Sequence, residues 1–155
     1  MNTNLDLPTL WNRLAAVTSL TFTAQSFDSG SGWNGTGKGT VEIEHSTPES
    51  MLFHESGLWT QQAGKELHFT NVYRWSAYPD QKRLRLEHLR FGTMHPVYLF
   101  ELQQITATRW ESVEPHVCRE DLYSANLSLE NALLSLDWTV KGATKNERIS
   151  YVYVE

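Results

Sequence analysis

The sequence ALLSLDWTVK, residues 132–141, alternates between small or apolar side chains and mostly polar ones. Successive side chains of a β-strand point to opposite faces of a sheet, so a segment of this kind packs one face and exposes the other. The packed face would carry Ala132, Leu134, Leu136, Trp138 and Val140. The segment therefore predicts a strand with one side in a hydrophobic core.

The same period of two extends over most of the chain, in segments that are separated by Gly, Pro, Asn and Ser. Ahead of these segments, apolar side chains at helical spacing predict one amphipathic helix over residues 7–17, with Asp6 as its cap. The alternating segments predict ten strands, at residues 19–28, 38–45, 50–59, 67–76, 83–91, 96–105, 109–118, 121–129, 132–141 and 147–154.

Short connections cannot hold the crossovers that parallel strands need, so we expect the strands to run antiparallel. Antiparallel strands leave two exposed edges unless the first and last strands pair, which favours closure. We therefore predict a single all-β domain over residues 1–155: a closed up-and-down barrel of about eight to ten strands, with the helix plugging one end. A barrel of this size encloses space that its side chains need not fill, so its expected function is to hold a small molecule.

The chain has 18 acidic and 13 basic residues and a net charge of -5. This balance argues against a nucleic-acid partner, and no apolar stretch reaches the ~20 residues that span a bilayer. Cys118 is the one cysteine of the sequence, which fits a reducing compartment. The sequence thus predicts a cytoplasmic protein, a monomer or a homodimer, with neither nucleic acid nor a membrane as partner.

The stretch SGWNGTGKGT, residues 31–40, contains the Gly-x-x-x-x-Gly-Lys spacing of a phosphate-binding loop. Such a loop holds phosphate with the amides at the start of a helix, whereas residues 40–45 alternate as a strand. Asn34 and Gly35 suit a tight turn, because both residue types tolerate positive φ angles. We therefore expect a hairpin turn here instead of a nucleotide site.

The fifth predicted strand, RLRLEHLRF at residues 83–91, is the clearest case of polar residues on a predicted inner face. Leu84 and Leu86 define an inner face, and the same alternation turns His88 and Arg90 inward. A buried guanidinium needs a carboxylate, water or an anionic ligand, so Arg90 is a candidate for binding an acidic group. A strand end in solvent, a bulge or an internal ion pair would explain the same pattern.

Reactive side chains cluster near the C-terminal third, where His116, Cys118, Asp121 and Tyr123 lie close in sequence. His116 and Asp121 could act as an acid and base pair on a bound substrate. Two ligands at His-x-Cys spacing fall short of a zinc site, so no metal is predicted. A structural role for the lone cysteine and its neighbours is the open alternative.

These residues also carry a resemblance to a known family. The motifs are His116-x-Cys118-x-x-Asp121-x-Tyr123 and Trp138-x-Val140-x-Gly142-x-x-Lys145. They are similar to those of domain of unknown function 6314, an uncharacterised bacterial and fungal family described as a calycin- or lipocalin-like barrel. The resemblance implies a barrel and adds Trp138 and Lys145 to the site candidates. It also adds His95 or Tyr98, which would replace a family histidine.

The leading hypothesis is a binding protein without enzymatic activity, whose cavity receives an amphipathic small molecule with an acidic head. Two alternatives stay open: an enzyme that uses His116 and Asp121, and a barrel that binds haem through a histidine. Residue spacing predicts no cofactor. The ligand-binding candidates are Arg74, His88, Arg90, His95, Tyr98, His116, Cys118, Tyr123, Trp138 and Lys145. Arg74 is the weakest candidate, because Tyr73 and Trp75 favour the inner face and would leave Arg74 outside.

Overall fold

The computed structural model of the protein describes residues 4–27, 34–62, 64–114, 116–118, 121–142 and 146–155, with the backbone alone for residues 116–118. Over these ranges the chain forms one helix and eleven strands. In chain order they are α1 (Leu7–Ala15), β1 (Ser19–Ser26), β2 (Gly35–Thr47), β3 (Ser50–Gln61), β4 (Glu66–Tyr78), β5 (Arg83–His88), β6 (Val97–Thr106), β7 (Arg109–Ser112), β8 (His116–Cys118), β9 (Asp121–Glu130), β10 (Leu133–Lys141) and β11 (Asn146–Val154).

The strands form one antiparallel ring, in which neighbours along the chain are neighbours in the sheet except for β7 and β8. The ring closes where β1 pairs with β11, from Ser19 opposite Val154 to Ser26 opposite Glu147. Strands β7 and β8 pair with different parts of β9, so the two share one position in the ring. The eleven strands therefore occupy ten positions. The predicted closed up-and-down barrel is confirmed.

The helix begins where the sequence predicts and ends earlier, at Ala15 rather than residue 17. The backbone N–H of Thr9 donates to the carboxylate of Asp6 over 3.0 Å, which satisfies one of the free amides of the first turn. In the described part of the chain, no helix is long and apolar enough to cross a bilayer.

Helix α1 covers one end of the barrel and is fixed to it by the segment that precedes it. The N–H of Leu5 donates to the carbonyl oxygen of Ala107 over 2.6 Å, and the indole N–H of Trp110 donates to the carbonyl oxygen of Leu5 over 2.7 Å. Leu5, Leu10 and Leu14 have no exposed surface. Each buried leucine contributes about 1.5–3 kcal/mol, so apolar packing holds the predicted plug in place.

Large apolar side chains fill the inner face of the barrel towards the helix. Phe53 meets Trp75 edge-on, with 6.2 Å between the ring centroids, and Phe100 meets Trp138 at the same separation. The fully buried members of this core include Met51, Phe53, Trp75, Leu84, Phe100, Leu102, Trp110 and Leu127.

The predicted hairpin is confirmed, because β1 pairs antiparallel with β2, but its turn does not lie at Gly35: the glycines at 35, 37 and 39 belong to the strand. Strand β2 begins at Gly35 and continues to Thr47, while residues 31–33 lie outside the described residues. A Cβ atom on Gly37 would overlap the ring of Phe22, so glycine makes room for that ring. No helix follows the glycines, which excludes a phosphate-binding loop.

Gly57 of β3 is opposite Gly39 of β2, and the two strands approach closely at this pair. A Cβ atom on Gly57 would overlap the carbonyl oxygen of Lys38, which belongs to the backbone and cannot rotate away. Gly57→Ala should therefore lower the free energy of unfolding by about 1–3 kcal/mol, as overpacking does. Urea unfolding followed by tryptophan fluorescence measures the change.

The matched control is Ser56→Ala, because Ser56 is the neighbouring residue and is exposed on the outer face. It should change the free energy of unfolding by less than about 0.5 kcal/mol. Equal unfolding midpoints for the two variants would show that the close approach at Gly57 is not required.

Candidate ligand-binding cavity

The half of the barrel away from α1 is not filled by its side chains and holds a cavity of about 380 Å³. The cavity reaches solvent beside the β5–β6 turn, where Arg90 is exposed. Its volume lies in the range of small-molecule sites, roughly 300–1,000 Å³. Seven of its fifteen lining residues are aromatic: Phe22, Trp59, Phe69, Tyr73, Tyr123, Trp138 and Tyr151.

Contacts between aromatic rings fix this wall. The ring of Phe22 packs edge-on against Phe69 at 5.2 Å between centroids and lies 5.5 Å from that of Tyr151. The imidazole of His88 stacks on Tyr73 at 4.7 Å. Such contacts hold the side chains in defined rotamers, so the cavity exists before any ligand enters.

His88 faces the cavity as its strand alternation predicts, since it is opposite Tyr73 in the register of β4 and β5. Burial lowers the pKa of His88 below its ordinary value of 6.5, and the charge of Arg90 adds to the effect. The imidazole is therefore neutral at pH 7 and offers one hydrogen-bond donor and one acceptor.

Arg90 lies at the mouth of the cavity and not in its interior. Strand β5 ends at His88, so Arg90 belongs to the turn that follows and is exposed to solvent. Its guanidinium lies 4.9 Å from the centroid of the Phe91 ring. Glu147 also lines the cavity, near the start of β11. The mouth thus has side chains of both charges.

Two predicted site residues lie on the outer face of the barrel. The Nε of Arg74 donates to Oε1 of Glu87 over 2.9 Å, as the parity of β4 predicts. Tyr98 points outward because a bulge in the β5–β6 pairing leaves Leu99 as an extra residue between Tyr98 and Phe100. The ring of Tyr98 therefore packs against a guanidinium on the outer face, that of Arg85, at 5.2 Å.

Four of the predicted residues come together around the cavity: His88, Arg90, Tyr123 and Trp138. His95 is exposed in the β5–β6 turn and does not line it. Lys145 lies outside the described residues.

The side chains of His116 and Cys118 are also outside the described part of the structure. The backbone of β8 pairs His116 with Tyr123 and Cys118 with Asp121. The proposed acid and base pair of His116 and Asp121 therefore stays a prediction. Among the described residues, no group of three His, Cys, Asp or Glu side chains is placed to hold a metal ion.

Sequence reasoning missed Glu55, a carboxyl group inside the barrel with 1% of its surface exposed. The hydroxyl of Tyr153 donates to its Oε2 over 3.1 Å. Burial raises the pKa of Glu55 from 4.5 to about 8, against the opposite effect of this hydrogen bond. The spacing of residues in β3 could have identified it, because Met51, Phe53 and Glu55 are two residues apart and therefore lie on the same, inner face.

The family model for "Family of unknown function (DUF6314)" matches residues 20–155, which is nearly all of the barrel. The chain belongs to this family. The match confirms the resemblance that the C-terminal motifs carry. None of the curated proteins is similar in sequence to the chain.

Two solved structures are similar in shape to this member of the family. One is described as the structure of EF1p2_mFAP2b bound to DFHBI, with 11% identity, a TM-score of 0.47 and coverage of 94% of this chain and 96% of that chain. The other is described as a de novo designed fluorescence-activating β-barrel, with 13% identity, a TM-score of 0.42 and coverage of 90% of this chain and 93% of that chain.

The buried carboxyl of Glu55 should make stability depend on pH. The folded protein keeps its proton up to about pH 8, whereas the unfolded chain releases it near the ordinary pKa of 4.5. The free energy of unfolding should therefore fall as the pH rises from about 5 to 8, by on the order of a few kcal/mol. Glu55→Gln keeps an acceptor for Tyr153 and should remove this decrease.

Urea unfolding of both proteins at several pH values between 5 and 8 measures the difference. Glu42→Gln, at an exposed position of β2, is the control and should follow the wild type. A constant gap between the wild type and Glu55→Gln across this range would contradict the assignment of a protonated carboxyl.

Proposed function

We propose that the protein binds a small amphipathic molecule in the cavity and does not act on it chemically. One observation carries the proposal: a preformed cavity of about 380 Å³ that is lined mainly by aromatic and aliphatic side chains, in a barrel whose inner face towards α1 is occupied by a packed hydrophobic core. A largely apolar space of this size favours a ligand over water, because apolar surface is removed from water on both partners.

The position of Arg90 supports an acidic group on the ligand, held at the mouth. A guanidinium can bind a carboxylate or sulfonate with two parallel hydrogen bonds. Neutral His88 lies next to Arg90 on the cavity wall and adds a donor. Because Arg90 is exposed to solvent, its contribution is modest, and the apolar wall supplies most of the affinity.

Haem is the second candidate, favoured by His88 alone. It is the one histidine that lines the cavity among the described residues, and its lowered pKa leaves the imidazole free to bind iron at neutral pH. Titration with haem distinguishes this case, since ligation by His88 would shift the Soret band and His88→Ala would abolish the shift.

The proposal also includes a cytoplasmic location and a monomeric or homodimeric state.

A tryptophan placed at the mouth tests whether the cavity is the binding site. Val97 lines the cavity and is half-buried, so Val97→Trp should fill the entrance without disturbing the core. The neutral dye N-phenyl-1-naphthylamine should bind to the wild type with increased fluorescence. Its affinity for Val97→Trp should be at least about tenfold lower than for the wild type.

The control is Val152→Trp, which adds the same side chain to the outer face of β11 and should bind the dye as the wild type does. Equal dye binding by all three proteins would contradict the proposed site. Native mass spectrometry of the protein as purified would identify the class of any retained ligand.

Arg90→Ala tests whether Arg90 binds an acidic group on the ligand. The anionic dye 8-anilino-1-naphthalenesulfonate has the same ring skeleton as the neutral dye and adds a sulfonate. Its affinity should fall about two- to fivefold in Arg90→Ala, whereas that of the neutral dye should be unchanged. Arg109→Ala removes the same charge from β7 and should affect neither dye. Equal losses for both dyes in Arg90→Ala would disprove the role of Arg90.

A further inference from the structure

The inner end of the cavity is formed by three polar aromatic residues. Tyr73 of β4, Trp138 of β10 and Tyr151 of β11 all line the cavity. On each strand the next inward residue towards the helix belongs to the packed core and does not line the cavity; these residues are Trp75, Leu136 and Tyr153. The three lining residues are thus the deepest points that a ligand can reach on their strands.

These residues have more hydrogen-bond donors than acceptors. The hydroxyl oxygens of Tyr73 and Tyr151 lie 3.4 Å apart, so one hydroxyl donates to the other and the accepting hydroxyl keeps a hydrogen of its own. The indole N–H of Trp138 is buried and has no acceptor among the described residues. At least two donors at this end of the cavity therefore lack a protein partner in the described part of the chain.

The neighbouring carboxyl does not supply the missing acceptor in its neutral form. Glu55 already accepts the hydroxyl of Tyr153, and its Oε1 is buried without a hydrogen-bond partner among the described residues. Burial keeps this group protonated at neutral pH, so it adds a further donor. An oxygen atom brought by a ligand would satisfy these groups, and an apolar ligand end would leave them unsatisfied.

We propose that the deep end of the cavity is a hydrogen-bonding subsite for a carbonyl oxygen on the inner end of the ligand. The Tyr73–Tyr151 pair and Trp138 donate to this oxygen. The inference rests on the proposed function, because it needs a ligand in the cavity, and it assigns that ligand a class: a mostly apolar ring compound with a carbonyl group at its buried end.

Two probes of the same shape test the subsite. The ketone 2-acetylnaphthalene and the alkene 2-isopropenylnaphthalene differ only by a carbonyl oxygen in place of a CH₂ group. Displacement of N-phenyl-1-naphthylamine at pH 7 gives the affinity of each. The wild type should bind the ketone about five- to tenfold more tightly than the alkene, because the alkene leaves buried donors unpaired.

Two sets of variants remove the donors while keeping the rings. Tyr73→Phe/Tyr151→Phe deletes both hydroxyls of the pair at once, so neither is left without its partner. Trp138→Phe removes the indole N–H and is the second, independent variant should the double variant fold poorly. Each should reduce the preference for the ketone and should leave the affinity of the alkene unchanged or higher.

The same comparison at pH 9 tests the part played by Glu55. Once ionised, Glu55 no longer donates and both of its oxygens accept from the surrounding hydroxyls, so the wild type should lose much of its preference for the ketone, and Glu55→Gln should keep it. The other groups near Glu55 do not change between these pH values. Burial raises the pKa of Tyr73, Tyr151 and Tyr153, and His88, which stacks on Tyr73, has a lowered pKa.

The outcomes separate the subsite from the cavity. Equal affinities of ketone and alkene in the wild type, or a preference that survives in both sets of variants, would overturn the subsite and leave the cavity as a binding site. Failure of the dye itself to bind to the wild type would overturn the proposed function together with the subsite, and a bound dye that neither probe displaces would overturn the subsite alone. A preference that is present in the wild type and reduced in the variants supports the inference.

Discussion

Closure of the ring by the β1–β11 pair, from Ser19 to Ser26, is the constraint on which the rest of the structure depends. A ring of ten strand positions encloses more volume than its own inward side chains fill, so something else must occupy the interior. At one end that role falls to α1, whose buried leucines continue the core of the barrel. At the other end the interior stays open to solvent, and a ligand can enter the barrel there.

The sequence predicts the architecture well, because strand alternation and helix capping are local signals. Trp138, Val140 and the cap Asp6 lie where these signals place them. The start of β2 at Gly35 is not predicted, since glycine favours turns in general, and only the ring of Phe22 across the strand pair explains why β2 needs glycine at position 37. That requirement comes from tertiary packing and cannot be read from neighbouring residues.

The site is less predictable than the fold, and for identifiable reasons. A bulge that adds Leu99 as an extra residue to β6 turns Tyr98 outward, and a strand end leaves Arg90 in solvent. Glu55 is not predicted as an inward residue, for two reasons. The first residues of β3 are apolar on both faces, so the sequence does not show which face points inward, and carboxylates are rarely buried. Local sequence thus identifies the wall of the cavity better than the polar groups that give it chemistry.

A crystal structure of the complex with N-phenyl-1-naphthylamine tests the central claim most directly, since the claim concerns where free space lies inside the ring. The dye should occupy the half of the barrel away from α1, with its rings among Phe22, Tyr73 and Trp138 and with α1 still in place. A dye bound between α1 and the barrel, or on the outer surface with the cavity closed by its own side chains, would contradict the account.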